Sequence, residues 1–199
     1  MIPKTIHYCW FSGELYPPMI KNCIESWKHI LPDYTFKKWD ASNTYFDTAY
    51  AQKAFNEKKW AFLTDYMRFK ILFEEGGIFM DTDILMIKPF DDLLVHDSFW
   101  NFADNGLVEP VVVGAHKGNA IVSQCKEIYD SLKPNDLEKY EYKAIPYLIT
   151  PVFKANGLIL YDRREQIMGN NLVLTHEAFC PLPFEKAHSI NYSEFITNK

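Results

Sequence analysis

The chain has 199 residues, of which 48% are apolar and 16% aromatic, with a formal net charge of −5. That supplies apolar surface for one sizeable core. The acidic balance, with Lys and Arg scattered along the chain, excludes a nucleic-acid backbone as the main partner, because that binding needs clustered cations to displace counterions. Cys9, Cys23, Cys125 and Cys180 make no CxxC pair and no short framework, and the start lacks the charged and apolar regions of a signal peptide. No stretch approaches about 18 apolar residues. The expectation is a cytoplasmic protein with four reduced thiols, at most peripheral to a membrane.

Strand-like and helix-like segments alternate in the βαβ manner. Thr5 to Phe11 is β-branched and aromatic and is followed by Gly13. After Pro17-Pro18, apolar residues from Met19 to Leu31 recur at three and four, and Pro32 stops that helix. Tyr34 to Trp39 is a second strand, Thr48 to Glu57 a polar helix, and Lys59 to Glu75 a third helix ended by Gly76-Gly77. Further strands are expected at Phe99 to Phe102, Val111 to Gly114, Leu158 to Tyr161 and Leu172 to Leu174. Asn119 caps a helix running to Leu132, and Thr150-Pro151 starts a short one closed by Asn156-Gly157. No repeat, low-complexity tract or linker divides the chain, so residues 1–199 read as one domain.

The most informative motif is Asp81-Thr82-Asp83, at the end of the apolar run Gly76 to Met80. If the chain stays extended there, both carboxylates point the same way, with Cα atoms about 6 to 7 Å apart. Two such groups at a buried strand's mouth repel and lose solvation unless a cation sits between them. In open α/β sheets ligands lie outside the carboxyl ends of the strands, where Asp81 falls. The third helix is apolar almost all round yet carries Asp65 and Arg68 at i and i+3. They form an internal ion pair or, if buried, need the further partners that a hydroxylated, phosphorylated ligand would supply.

Ala61 to Arg68, Leu72, Gly76 to Phe79 and Asp81 to Asp83, in this order and spacing, resemble the signature of the DXD-containing sugar transferases of glycosyltransferase family thirty-two. That family groups capsule and lipopolysaccharide sugar transferases with yeast mannosyltransferases, and its motif is similar to that of the clostridial glucosylating toxins. Ile2 to Gly13 resembles the family's first strand. The strong likeness spans Ile2 to Gly13 and Lys59 to Leu94, is loose over Phe99 to Leu132, and fades beyond about Leu160.

The resemblance implies a GT-A fold, a single nucleotide-binding α/β domain with a mixed, mostly parallel sheet flanked by helices, and a retaining transfer. Asp83 would ligate Mn²⁺ or Mg²⁺, with Asp81 reaching it through water or holding the donor's ribose. Asp65 would hold hydroxyls of the donor sugar, Arg68 would contact the sugar or phosphate, Trp10 would stack on the base, and Gly77 belongs to the donor-binding set. Asp104 and Asn105 are candidates for the acceptor side. The donor would be a UDP-sugar, or next GDP-mannose; the acceptor would be a saccharide or lipid-linked saccharide, in a glycan assembled at the cytoplasmic face of a bacterial membrane.

Two alternatives stand beside this, a toxin-like enzyme glycosylating a protein hydroxyl and a degenerate nucleotide- or glycan-binding module without turnover. No Walker-type Gly-Lys-Ser/Thr loop supports a phosphotransferase. The family's closing segment, of the form His-His-Trp followed by Ser-Trp, has no match here, and His188 to Tyr192 is a poor substitute. A third protein contact to the cation is therefore expected to be missing. For the remaining tempting residues plain readings are preferred: His7 as a satisfied core histidine, Asp91-Asp92 as the solvated start of a short helix, and Asp104-Asn105-Gly106 as a turn.

Overall fold

The computed structural model describes residues 1–139, 145–162, 164–179 and 189–191. Seven strands form one sheet in the order β2-β1-β3-β6-β5-β8-β7: β1 (Thr5–Cys9), β2 (Thr35–Trp39), β3 (Gly77–Met80), β5 (Ser98–Phe102), β6 (Val108–Ala115), β7 (Gln166–Met168) and β8 (Asn171–Leu174). Two short strands, β4 (Ile84–Met86) and β9 (Ser189–Asn191), pair antiparallel in a separate ribbon. The sheet is mixed, but parallel pairing is not the majority: β1 runs parallel to β2 and β3, and β5 to β8, while β3·β6, β5·β6 and β7·β8 are antiparallel. The reason is that β5 and β6 form a hairpin around the turn at Asp104 to Gly106, which reverses the chain without a crossover helix. Because β6 reverses against both β3 and β5, the strands β1, β2, β3, β5 and β8 all end at the same edge of the sheet.

Both faces are covered. One carries the helices α2 (Ala49–Asn56), α3 (Trp60–Glu75), α4 (Ala120–Asp130) and α6 (Ile145–Ala155), whose apolar residues pack with Phe79, Trp100, Phe102 and Val113. The other carries α1 (Pro18–Ile30), seated by Ile20, Cys23, Ile24 and Trp27 against Ile6, Ile78, Met80 and the segment around β4. A single-turn helix, α5, covers Asp136–Lys139. The α3 helix is enclosed because its apolar residues surround it: Leu63 and every residue from Tyr66 to Leu72 are buried. It stops where Gly76 takes φ +70, its N–H bonding Leu72 O at 2.9 Å. Asn119 caps α4 as its sequence suggests, Oδ1 accepting from the N–H groups of Ile121 and Val122.

Four expected elements differ. The helix assigned to Thr150-Pro151 begins at Ile145, and Pro151 lies inside it. Ile145, Ile149 and Phe153 carry the apolar stripe through the proline, and the Thr150 hydroxyl accepts from Val108 N–H at 3.0 Å instead of capping. Leu158 to Tyr161 is a strap, not a strand, because Tyr161 at φ +64 cannot continue a ladder. Asp91-Asp92 lies in successive turns, where Asp91 accepts from Lys4 Nζ and from Tyr34 at 3.1 Å. Asp81 to Asp83 does not stay extended: Asp81 N–H still bonds Val111 O at 3.0 Å, then the chain turns and Ile84 N–H reaches back to Asp81 O at 3.4 Å. Cys9, Cys23 and Cys125 are buried free thiols, while Cys180 lies outside the described residues, as do His188 and Tyr192. No helix among the described residues is long and apolar enough to cross a membrane.

Candidate functional site

The common edge of the sheet carries a cleft of about 400 Å³, bounded by the residues after β1, by one flank of α3 and by the turn after β3. Trp10, Asp65, Arg68, Asp81 and Asp83 all line it. Three separate elements thus deliver the five residues. Trp10 follows β1, its backbone N–H bonding Trp39 O at 2.8 Å. Its indole Nε1–H donates to Glu14 O at 2.8 Å, and its ring meets Tyr16 edge-on at 4.8 Å between centroids. The half-buried ring also borders an adjoining cleft of about 380 Å³, which runs past Tyr16, Lys38, Asp40 and Ser42.

Arg68 is the hinge of the electrostatics. Its side chain is 3% exposed, Nη2 donates to Asp81 Oδ1 at 2.6 Å, and the same nitrogen lies 3.8 Å from Asp65 Oδ1. The guanidinium sits 5.1 Å from the Phe79 ring, and its Nε, fully buried, has no hydrogen-bond acceptor. The expected i,i+3 pair is therefore the looser of two, and the tight partner comes from the DXD turn. Burial pushes the Asp65 carboxyl up to about 7, with Arg68 opposing and Asp81 reinforcing the shift. Burial pushes Asp81 up to about 6, Arg68 opposing and Asp83 reinforcing. Two carboxylates, Asp65 and Asp81, thus share one buried guanidinium, and Asp83 adds like charge beside Asp81.

That imbalance, together with the orphaned Nε, is the test of whether a cation and a diphosphate fit. Among the described residues no cluster of three or more His, Cys, Asp or Glu side chains could hold a metal ion. Asp81, which gives one oxygen to Arg68, and Asp83 are the two carboxylates of the DXD turn that line the cleft, a sparse set of protein ligands. Such ligation suits a hard ion such as Mg²⁺, which keeps waters and takes substrate phosphate oxygens to complete its shell. The residues fit the group.

Three sequence candidates lie elsewhere. Gly77 sits at the opposite end of β3, three residues or about 10 Å from Met80; its φ is +106, and a Cβ there would meet Thr5 O at 2.7 Å and His7 Nε2 at 2.8 Å. It is a close-packing glycine, not a donor-cleft residue. Asp104 and Asn105 are exposed in the turn joining β5 and β6, at the correct edge but two strands from β3. His7 is buried and satisfied: Nε2–H donates to Gly76 O at 2.9 Å and Nδ1 accepts from Trp39 Nε1–H at 3.1 Å. Ser12 and Thr64 line the cleft without having been singled out, although both stand inside the motif segments.

Residues 17–100 match the glycosyltransferase sugar-binding region containing a DXD motif. Inositol phosphoceramide mannosyltransferase 3 of Schizosaccharomyces pombe is 26% identical over 135 residues, covering 62% of this chain and 36% of that protein. The chain thus spans little more than a third of that relative's length. Among solved structures, the PaToxG glycosyltransferase superposes with a TM-score of 0.59 at 17% identity, over 78% of this chain and 69% of that one. A glycosyltransferase involved in glycosylation of the major capsid of PBCV-1 superposes with a TM-score of 0.51 at 15% identity, over 94% and 92%. The seven-stranded mixed sheet flanked by helices is a GT-A-like fold.

Proposed function

We propose that this chain is a metal-dependent, retaining glycosyltransferase that moves a sugar from a nucleotide-sugar to a saccharide acceptor. The observation that carries the reading is the convergence of Trp10, Asp65, Arg68, Asp81 and Asp83 on one cleft at the carboxyl ends of β1 and β3. The DXD-region match over residues 17–100 supports it. Family habit favours a UDP-sugar, and the name of the yeast relative makes GDP-mannose the second donor to try.

Asp81 and Asp83 would hold Mn²⁺ or Mg²⁺. Such an ion neutralises charge that grows on a departing diphosphate, and stabilisation that increases toward the transition state is catalysis rather than mere binding. Arg68 is fixed by Asp81, and its buried Nε is a donor suited to a phosphate or sugar oxygen. Asp65, whose carboxyl is held protonated more readily than usual, can donate to or accept from a sugar hydroxyl. Trp10 offers an aromatic face to a base at the border of the two clefts.

For the transfer we favour a front-face route. The bond from the anomeric carbon to the diphosphate oxygen breaks, the acceptor oxygen bonds on the same face, and its proton passes to the departing phosphate oxygen. Trapping a covalent glycosyl-enzyme would contradict this route.

The test is incubation of UDP-hexoses and GDP-mannose with Mn²⁺ and a panel of mono- and oligosaccharide acceptors, following release of the nucleoside diphosphate chromatographically. Release by the native chain that falls at least about 100-fold in Asp83→Ala supports the reading. Equal release by both chains, or none from any donor, overturns it.

A further inference from the structure

Tyr161 is an exposed aromatic residue that the donor cleft does not use. Single exposed apolar side chains are ordinary, but this one has two unusual properties. The residue is 73% exposed, and its backbone stands at φ +64, a left-handed conformation that costs a bulky residue about 1 to 2 kcal/mol. Glycine would occupy that position without the cost, so the strain is spent on presenting a ring that buries little of itself.

The strap carrying Tyr161 is held in place, not loosely draped. The Gln166 carboxamide binds it at three points: Oε1 accepts from Ile159 N–H at 2.9 Å, and Nε2 donates to Ile159 O at 3.0 Å and Asp162 O at 2.7 Å. From the other side Tyr161 rests on Gly106, at φ +80, where a Cβ would lie 3.4 Å from Tyr161 Cα and 3.5 Å from its Cδ1. Gly106 ends the turn that leads into β6, whose Val111 O bonds the Asp81 N–H. Tyr161 therefore stands where β5 ends and β6 begins, at the same edge of the sheet that carries the DXD turn after β3. Beside it Asp104 and Asn105 are exposed.

We infer that Tyr161, fixed by Gln166 and seated on Gly106, is the stacking platform for the acceptor saccharide, with Asp104 and Asn105 bonding its hydroxyls. This rests on the transferase reading and supplies that reading with an acceptor side. The chemistry is that of a pyranose: its C–H face is apolar and lies flat on an aromatic ring, while its rim of hydroxyls seeks carboxylate and carboxamide partners. A rigid aromatic residue gives that contact at small cost in side-chain entropy.

The test uses saturation-transfer NMR with methyl α-D-mannopyranoside, methyl β-D-glucopyranoside, methyl β-D-galactopyranoside and maltose as probes. Each is measured with the native chain, Tyr161→Ala and Tyr161→Trp, in UDP or GDP plus Mn²⁺. At least one probe should receive saturation on its C–H protons from the native chain and from Tyr161→Trp, and at least 5-fold less from Tyr161→Ala. Nucleotide-dependent thermal stabilisation, read on the same samples, should be equal in all three proteins. If nucleotide stabilises the protein but no probe binds, or probes bind Tyr161→Ala as well as the native chain, the platform is wrong and the donor site stands. If no nucleotide stabilises it yet saccharide binding still depends on Tyr161, the platform stands and the transferase reading falls.

Discussion

Arg68 Nη2 donates to Asp81 Oδ1 at 2.6 Å, so the helix that precedes the DXD turn in sequence also neutralises it in space. The pair ties α3 to the mouth of β3 and leaves one buried donor, Nε, without an acceptor. A structural ion pair would be expected to satisfy that nitrogen; a ligand site has reason to keep it for an incoming oxygen.

Removing the guanidinium should be costly even without substrate. Arg68→Ala leaves Asp81 and Asp65 facing each other in a partly dry cleft, and breaking a buried pair this way costs about 3 kcal/mol or more. Urea unfolding should show that loss. Asp81→Asn, which keeps an acceptor for Nη2, should cost clearly less. In Arg68→Ala the Asp81 carboxyl should titrate still higher, since burial and Asp83 then act unopposed.

His7 should give the fold an acid-side weakness. Burial lowers its folded-state value from 6.5 to about 4, while bonding to Gly76 O pulls the other way. The unfolded chain therefore binds the extra proton between those limits, so stability is fully present above about pH 6.5 and declines as pH falls toward 4. The full effect is about 3 kcal/mol. Asp65 and Asp81, raised rather than lowered, act with opposite sign, their penalty fading as the pH falls. The His7 effect is thus read as the difference in unfolding free energy between the native chain and His7→Gln across pH 4 to 7, which should narrow toward the acid end.

Gly77→Ala should damage stability and spare nucleotide binding by the folded fraction. The added Cβ would collide with Thr5 O and His7 Nε2 in a conformation that L-residues avoid, with a loss of about 2 kcal/mol or more. Calorimetry of unfolding together with nucleotide titration separates the two effects. A donor-contacting glycine would show the reverse pattern.

Trp10→Ala should weaken nucleotide binding by about 1 to 3 kcal/mol, the range for loss of an aromatic stacking face. Trp10→Phe should recover most of it, although the Nε1–H bond to Glu14 O is lost. Titration calorimetry with UDP and GDP in Mn²⁺ measures both and shows which base the cleft prefers.

The site was more legible than the periphery of the fold. Asp65, Arg68, Asp81 and Asp83 sit in a helix, a paired glycine and a strand whose lengths dictate where they meet, so local patterning was enough to bring them to one cleft. The carboxylate geometry was not legible, because whether residues 81–83 stay extended depends on β6 ending its pairing at Val111, a contact 30 positions away. Gly77 joined the candidate site through its place in the motif, yet the reason for a glycine there is the close approach of β1. Thr150-Pro151 imitates a helix start, and only the burial of Ile145 and Ile149 shows that the helix runs through it. The strap at Leu158 to Tyr161 has strand-like side chains, but the Gln166 carboxamide takes the backbone groups of Ile159 that a ladder would have used.

The measurement that bears most directly on the central claim is thermal stabilisation by a panel of nucleoside diphosphates, with and without Mn²⁺, on the native chain and Asp83→Ala. A ligand that binds only the folded state raises stability by RT ln(1 + [L]/Kd), about 2.7 kcal/mol at a hundredfold excess over Kd. One nucleotide should stabilise the native chain only when Mn²⁺ is present, and Asp83→Ala should abolish the shift. Stabilisation that ignores the metal, or that survives in Asp83→Ala, would contradict the claim.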